Sequence, residues 1–146
     1  MIKAIIVDDE KLSRNTLKKL LEIYCPDVEV IAECDNAASA TIQVMQIQPE
    51  LVFLDVAMPG KNGIDFLKEL DDIKFEVIFV TAHDKYILQA IRLAAVDYLQ
   101  KPVDGQQLIT AVSNAAKRII QKSANYQVKT LLHNMQPKIN QQEMQL

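Results

Sequence analysis

Five short apolar runs punctuate the first hundred residues: Ile2–Val7, Val28–Ala32, Leu51–Leu54, Val77–Val80 and Val96–Leu99. Each is strand-length, rich in β-branched or aromatic residues and little broken by polar alternation, the pattern of strands buried on both faces. The segments between them carry helical spacing instead. Leu12, Thr16, Leu20 and Ile23 fall on one stripe, Ala38, Thr41, Ile42 and Met45 on a second, and Ile64, Leu67 and Leu70 on a third. Strands alternating with helices predict a parallel sheet with helices on both faces. Right-handed crossovers make a five-stranded, doubly wound α/β sheet of order 2-1-3-4-5 the economical topology. A final helix is predicted from near Asp104 through Leu108, Val112, Ala115 and Ile119. Val128, Leu131, Leu132 and Met135 continue its spacing until Pro137, where the missing N–H is expected to halt it. The result is one extended helix, or two with a fray between Ser123 and Asn125.

Composition narrows the class more than the function. The 146 residues are 49% apolar and 24% charged, an ordinary globular balance that excludes wholesale disorder. No apolar run reaches the roughly 18 residues that a membrane span needs, and the acids at positions 8–10 come too early for a secretory leader. Cys25 and Cys34 lack metal-ligand spacing, so neither a zinc framework nor a disulfide is expected. A reducing, cytoplasmic setting without membrane contact is the expectation. The net charge of −3 argues against general nucleic-acid affinity. Its distribution divides the chain: residues 1–122 carry −4, whereas residues 123–146 carry +1, are rich in Gln and are thin in apolar residues. We expect one domain over 1–122 and a linker helix or tail over 123–146, leading toward an effector domain absent from this chain.

In an open α/β sheet, ligands bind beyond the carboxyl ends of the strands. The first run ends in Asp8-Asp9-Glu10, the third in Asp55 and the fourth in Thr81, and the fifth is followed by Lys101-Pro102. In the predicted order, three carboxylates, a hydroxyl and an ammonium converge on one edge. Singly, each has a plain structural reading. Asp9 could cap the first helix, Asp55 could cap a turn before Met58-Pro59-Gly60, Thr81 could form a capping box with Asp84, and Lys101 could be a solvated turn lysine. Together those readings weaken, because like charges gathered at one point repel and need neutralising. Mg²⁺ meets that need, since it takes one or two carboxylates, several waters and phosphate oxygens. Asp9 and Asp55 would be direct ligands, with Asp8 holding a metal water. A carboxylate in such a site can attack phosphorus to form an acyl phosphate, whose oxygens the metal, Lys101 and the Thr81 hydroxyl would meet. Asp55, central between the acidic pair and the Thr81–Lys101 pair, is the expected nucleophile.

The set Asp8-Asp9, Asp55-Val56-Ala57-Met58-Pro59-Gly60, Thr81-Ala82 and Asp97-Tyr98-Leu99-Gln100-Lys101-Pro102 resembles the receiver domain of two-component response regulators, over residues 1–122. The resemblance implies a phosphoacceptor at Asp55, charged from the phosphohistidine of a sensor histidine kinase. Such a protein is no enzyme, but supports its own phosphoryl transfer and hydrolysis. It implies a Mg²⁺ site of Asp8, Asp9, Asp55 and the backbone carbonyl of Ala57, and a cis peptide between Lys101 and Pro102. It also implies a switch, in which the Thr81 hydroxyl moves toward the phosphoryl oxygens and Tyr98 rotates into the space it leaves. From the residues alone, Tyr98 reads equally well as an amphipathic aromatic at a strand end with a satisfied hydroxyl.

Departures from the receiver pattern also carry expectations. Ala94 stands where many receivers have Gly at the end of the fourth helix, and a left-handed Ala there costs on the order of 1 kcal/mol. The expectation is that this helix ends in another way. Ala57, two residues after Asp55, has no polar side chain to handle an attacking water, and His83, two after Thr81, reads as a surface residue.

The stretches from Thr81 to Ala90 and from Ala95 to Val103 look, more specifically, like receivers coupled to LytTR-type DNA-binding domains. That would make the intact protein a transcription regulator that reaches DNA only through the absent effector. Lys117, Arg118 and Lys122 read as a solvated face, and His133 as solvent-facing. Homodimerisation is expected through the helix 4/strand 5/helix 5 face or through Val128, Leu131, Leu132 and Met135, which span too few heptads for a coiled coil. Rival classes fare less well. A flavodoxin-type carrier shares the sheet order but would have to cradle phosphate on Asp8-Asp9-Glu10, which repel it. A Mg²⁺-dependent aspartyl phosphatase resembles Asp-x-Asp, and here the second position is Ala57. A non-phosphorylated receiver-like interaction module stays open as the alternative.

Overall fold

The five apolar runs pair into one all-parallel sheet in a computed structural model that describes residues 1–83, 85 and 87–144. The elements run β1 (Ile2–Val7), α1 (Lys11–Tyr24), β2 (Val28–Cys34), α2 (Ala37–Ile47), β3 (Leu51–Leu54), α3 (Gly63–Glu69), β4 (Glu76–Thr81), α4 (Ile87–Arg92), β5 (Asp97–Gln100) and α5 (Gly105–Met144). The sheet order is β2-β1-β3-β4-β5, the predicted doubly wound arrangement. Strand residues alternate between two cores. Ile5, Val7, Val52, Leu54, Val77 and Phe79 face α2, α3 and α4, whereas Ala4, Ile6, Leu51, Phe53, Ile78 and Val80 face α1 and α5. Both sets are buried, which is why the runs show no polar alternation. Each large side chain among them contributes about 1.5–3 kcal/mol by leaving water.

Two helices turn a different face inward from the predicted stripe. In α1 the buried pair is Leu17 and Leu21, with Leu20 packed beside them, while Leu12 and Ile23 are 77% and 70% exposed. In α2 the buried residues are Ala37 and Ala40, backed by Val44 and Ile47, while Ile42 and Met45 are 55% and 71% exposed. The Asn36 side chain starts α2 by accepting from Ser39 N at 2.7 Å, and that start sets the phase. Small alanines at its start then let the helix lie close to the sheet, and Val44 and Ile47 extend the same inward face. In α3 the expected Ile64 and Leu67 are buried, joined by Phe66.

The last helix is continuous. Asp104 caps it by accepting from Gln107 N at 3.2 Å, and Leu108, Ala111, Val112 and Ala115 are buried. There is no fray at Ser123–Asn125, and Pro137 does not end the helix, which runs on to Met144. Residues 120–135 are all exposed. On such a stretch, water can satisfy the His133 carbonyl that the missing Pro137 N–H leaves free.

The end of α4 corrects a further expectation. Ala94 is left-handed, with φ 58°, and Ala95 N closes the turn onto the Ala90 carbonyl at 3.3 Å. The helix thus ends in the geometry that Gly usually supplies, with an alanine bearing the strain. Cys25 and Cys34 are free and buried in opposite cores, and burial foremost pushes both thiols up. Among the described residues, no helix is long and apolar enough to cross a membrane.

Candidate functional site

Sheet hydrogen bonding continues one residue past the ends of β1 and β3. Asp8 N donates to the Cys34 carbonyl and Asp55 N to the Val7 carbonyl, both at 2.9 Å. The two acids are therefore docked by their backbones while their side chains stand at the carboxyl edge, with Asp8 3% and Asp55 4% exposed. One oxygen of each carboxylate serves the local turn: Asp8 Oδ1 accepts from Glu10 N at 2.9 Å, and Asp55 Oδ1 from Ala57 N at 3.1 Å. The other oxygens share one cation, with Lys101 Nζ 2.7 Å from Asp8 Oδ2 and 3.2 Å from Asp55 Oδ2. Lys101 is thus no solvated turn lysine. Burial by itself would lower its pKa, but the Asp8 hydrogen bond and the nearby Asp55 charge outweigh that and hold it above the usual lysine value.

Asp9 is the third member. Oxygens of Asp8, Asp9 and Asp55 lie within 4.8 Å of one another. Asp9 does not cap α1, since Glu10 holds that position and its side chain makes no cap bond. Instead, Asp9 Oδ1 is buried with no hydrogen-bond partner among the described residues. Two acids sharing one ammonium, beside a third with an orphaned oxygen, leave negative charge uncompensated. The all-oxygen donor set fits a hard divalent cation.

Thr81 is fully buried at the end of β4, paired in register with Gln100, the residue before Lys101. Its Oγ1 accepts from His83 N at 3.4 Å, while the expected partner Asp84 lies outside the described residues. Tyr98 packs at 6.0 Å from Phe79, between ring centroids, and its hydroxyl donates to the His83 carbonyl. Its hydroxyl is therefore satisfied, by the loop that follows Thr81. The Lys101–Pro102 peptide is cis. His83 is exposed, as is His133.

Several contributors carried no chemical signature. Arg14 Nη1 donates to the Asp8 carbonyl at 2.7 Å while its Nε pairs with Glu33 at 3.2 Å, pinning the acidic loop from outside. Gly63 opens α3 against the acceptor loop, where a Cβ would stand 2.4 Å from the Asp55 carbonyl oxygen. Ser13 Oγ accepts from Lys101 Nζ at 3.2 Å. Ser13 and Arg14 lie one helical turn beyond the acids, the single cue that could have marked them.

At the opposite edge of the sheet, Arg118 and Lys122 are not simply a solvated face. Both pair with buried Glu76, at 3.7 and 2.6 Å, and Arg118 Nη1 also donates to the Ala94 carbonyl at 3.1 Å. A cleft of about 670 Å³ beside them, lined in part by Met45, Phe75 and Ile119, includes none of the carboxyl-edge residues.

Residues 4–113 match the family model described as the response regulator receiver domain. The chain belongs to that family. It is 42% identical over 110 residues to the sensory transduction protein LytT of Bacillus subtilis, covering 74% of this chain and 45% of that one. It is 36% identical over 137 residues to the transcriptional regulatory protein BtsR of Salmonella typhimurium, covering 93% and 55% respectively. The receiver therefore spans about half the length of the curated relatives it matches. Its fold matches the REC domain of AraT, a response regulator from Geobacillus stearothermophilus, at TM-score 0.74 and 28% identity, over 84% of this chain and 98% of that one.

Proposed function

We propose that this receiver accepts a phosphoryl group on Asp55 from the phosphohistidine of a sensor histidine kinase. One observation carries the reading: Asp55 and Asp8 share the Lys101 ammonium, at 3.2 and 2.7 Å, beside an Asp9 oxygen that is buried and unpartnered. Asp9 and Asp55, with the Ala57 carbonyl and with Asp8 through a water, would hold Mg²⁺. When bound, it supplies positive charge for phosphoryl oxygens that the side chains alone do not neutralise.

The chain's own residues then do the following. An Asp55 oxygen forms the new P–O bond as the bond from phosphorus to the donor's imidazole nitrogen breaks. The bonding pair leaves with the imidazole, which takes up a proton. Lys101 turns one N–H from Asp55 to a phosphoryl oxygen, and the Thr81 hydroxyl donates to another. Because Tyr98 is bonded to the His83 carbonyl, two residues past Thr81, movement of that loop reaches β5 through that bond. The receiver is on this reading a phosphoacceptor that supports its own transfer and hydrolysis, without being an enzyme acting on others.

The likeness to LytT and BtsR supports a transcriptional output through a LytTR-type DNA-binding effector outside this chain. Homodimerisation through the α4–β5–α5 face or the exposed α5 extension, in the cytoplasm, completes the proposal. The test is incubation with Mg²⁺ and acetyl phosphate, followed by mapping of any acyl phosphate. We expect one labelled site, lost in Asp55→Asn and lost on chelation of Mg²⁺ with the fold intact. Label that survives Asp55→Asn, or none in the parent chain, overturns the assignment and leaves the interaction-module alternative.

A further inference from the structure

Lys101 has three N–H bonds, and each meets an acceptor: Asp8 Oδ2 at 2.7 Å, Asp55 Oδ2 at 3.2 Å and Ser13 Oγ at 3.2 Å. The third is the neutral one. Ser13 stands half-buried in the first turn of α1, and its own hydroxyl lies 3.5 Å from Glu10 Oε2, a long contact in which it is the donor. The donors run in one direction, from ammonium to hydroxyl to carboxylate. A hydroxyl proton aimed at Glu10 leaves the Ser13 lone pairs facing Lys101. The two charged acceptors are the groups that phosphoryl transfer occupies, Asp55 in the new bond and Asp8 in holding a cation. Ser13 takes part in neither. A lysine tip is a point charge on a flexible four-carbon stem, so without a fixed neutral anchor its position depends on those changing charges.

We propose that Ser13 is a positioning residue for phosphoryl transfer at Asp55. Oriented by Glu10, its hydroxyl pivots Lys101 Nζ while one ammonium N–H exchanges Asp55 for the incoming phosphoryl group. The proposal rests on the reading of Asp55 as acceptor. With acetyl phosphate as donor, an Asp55 oxygen bonds phosphorus as the phosphorus–acetate bond breaks, and acetate departs with the electron pair.

The test follows acyl phosphate formation by intact-mass measurement, with acetyl phosphate varied at saturating Mg²⁺, for the parent chain, Ser13→Ala and Ser13→Thr. Loss of one hydrogen bond to a charged group predicts a maximal rate about tenfold lower in Ser13→Ala. The donor concentration at half-maximal rate should change little, because the anchor acts on the reacting geometry more than on capture. Ser13→Thr, which keeps the hydroxyl, should restore most of the rate. Ser13→Ala as fast as the parent overturns the proposal alone. A slow Ser13→Ala with an equally slow, folded Ser13→Thr also overturns it, because a packing role then explains both. A parent chain that takes no phosphoryl group overturns the Asp55 reading, and this inference with it.

Discussion

Ala94 holds φ 58° at the end of α4 with its side chain exposed, and an L residue in that region costs about 1–2 kcal/mol. Ala94→Gly removes that cost. Against it stands the greater freedom of Gly in the unfolded chain, about 0.5–1 kcal/mol. The methyl faces solvent, so little packing is lost, and the bond from Arg118 goes to the backbone carbonyl, which remains. The net expectation is a gain of about 0.5–1 kcal/mol, or a Tm rise of about 1–4 °C for a chain of this size. Urea unfolding should show a higher midpoint at unchanged slope. Gln48→Gly offers a second site, since Gln48 ends α2 at φ 53° and is also exposed. A lower midpoint in both variants would refute the assignment of strain to these left-handed caps.

Gly63→Ala places a methyl against the Asp55 carbonyl, where the ideal position is 2.4 Å away, and should cost about 1–3 kcal/mol in urea unfolding while slowing acyl phosphate formation. An unchanged midpoint would mean that α3 does not brace the acceptor loop. Glu33 is held below its usual pKa mainly by the hydrogen bond from Lys18, against burial, with Arg14 adding to it. A depressed carboxylate contributes stability that is present above its ordinary value and is lost as pH falls through the folded-state value. The midpoint difference between the parent and Glu33→Gln should therefore be full at neutral pH, shrink as pH falls below 4.5 and vanish only below the folded-state value, and a pH-independent difference would contradict the pairing. Lys122→Ala removes the 2.6 Å partner of buried Glu76 and should cost about 1 kcal/mol, since Lys122 itself is half-exposed and Arg118 remains. In a double-mutant cycle Glu76→Gln should absorb most of that loss, and simple additivity would show that the pair is not coupled.

Strand positions buried on both faces must be apolar, so Ala4–Val7, Leu51–Leu54 and the core of β4 announced themselves. Sheet order then followed from handedness, and the identities of Asp8, Asp9, Asp55, Thr81 and Lys101 followed from standing where strands end. Those are local or topological properties, readable along the chain. Helix phase was not, because α1 and α2 each carry more apolar residues than one face can bury. The packed sheet chooses Leu17 and Leu21 over Leu12 and Ile23, and Ala37 and Ala40 over Ile42 and Met45. The same holds for the φ of Ala94, which depends on how α4 must turn to start β5, and for the unbroken α5, which runs on through Pro137 after the exposed residues 120–135. Around the acids, Ser13, Arg14 and Gly63 are common residue types without chemical signature. They acquire their roles because the fold brings Ser13 to Lys101 across 88 positions of sequence, and seats the start of α3 against the Asp55 backbone. Charges at strand ends can be read in one dimension; the neutral groups that aim them have meaning only where distant elements touch.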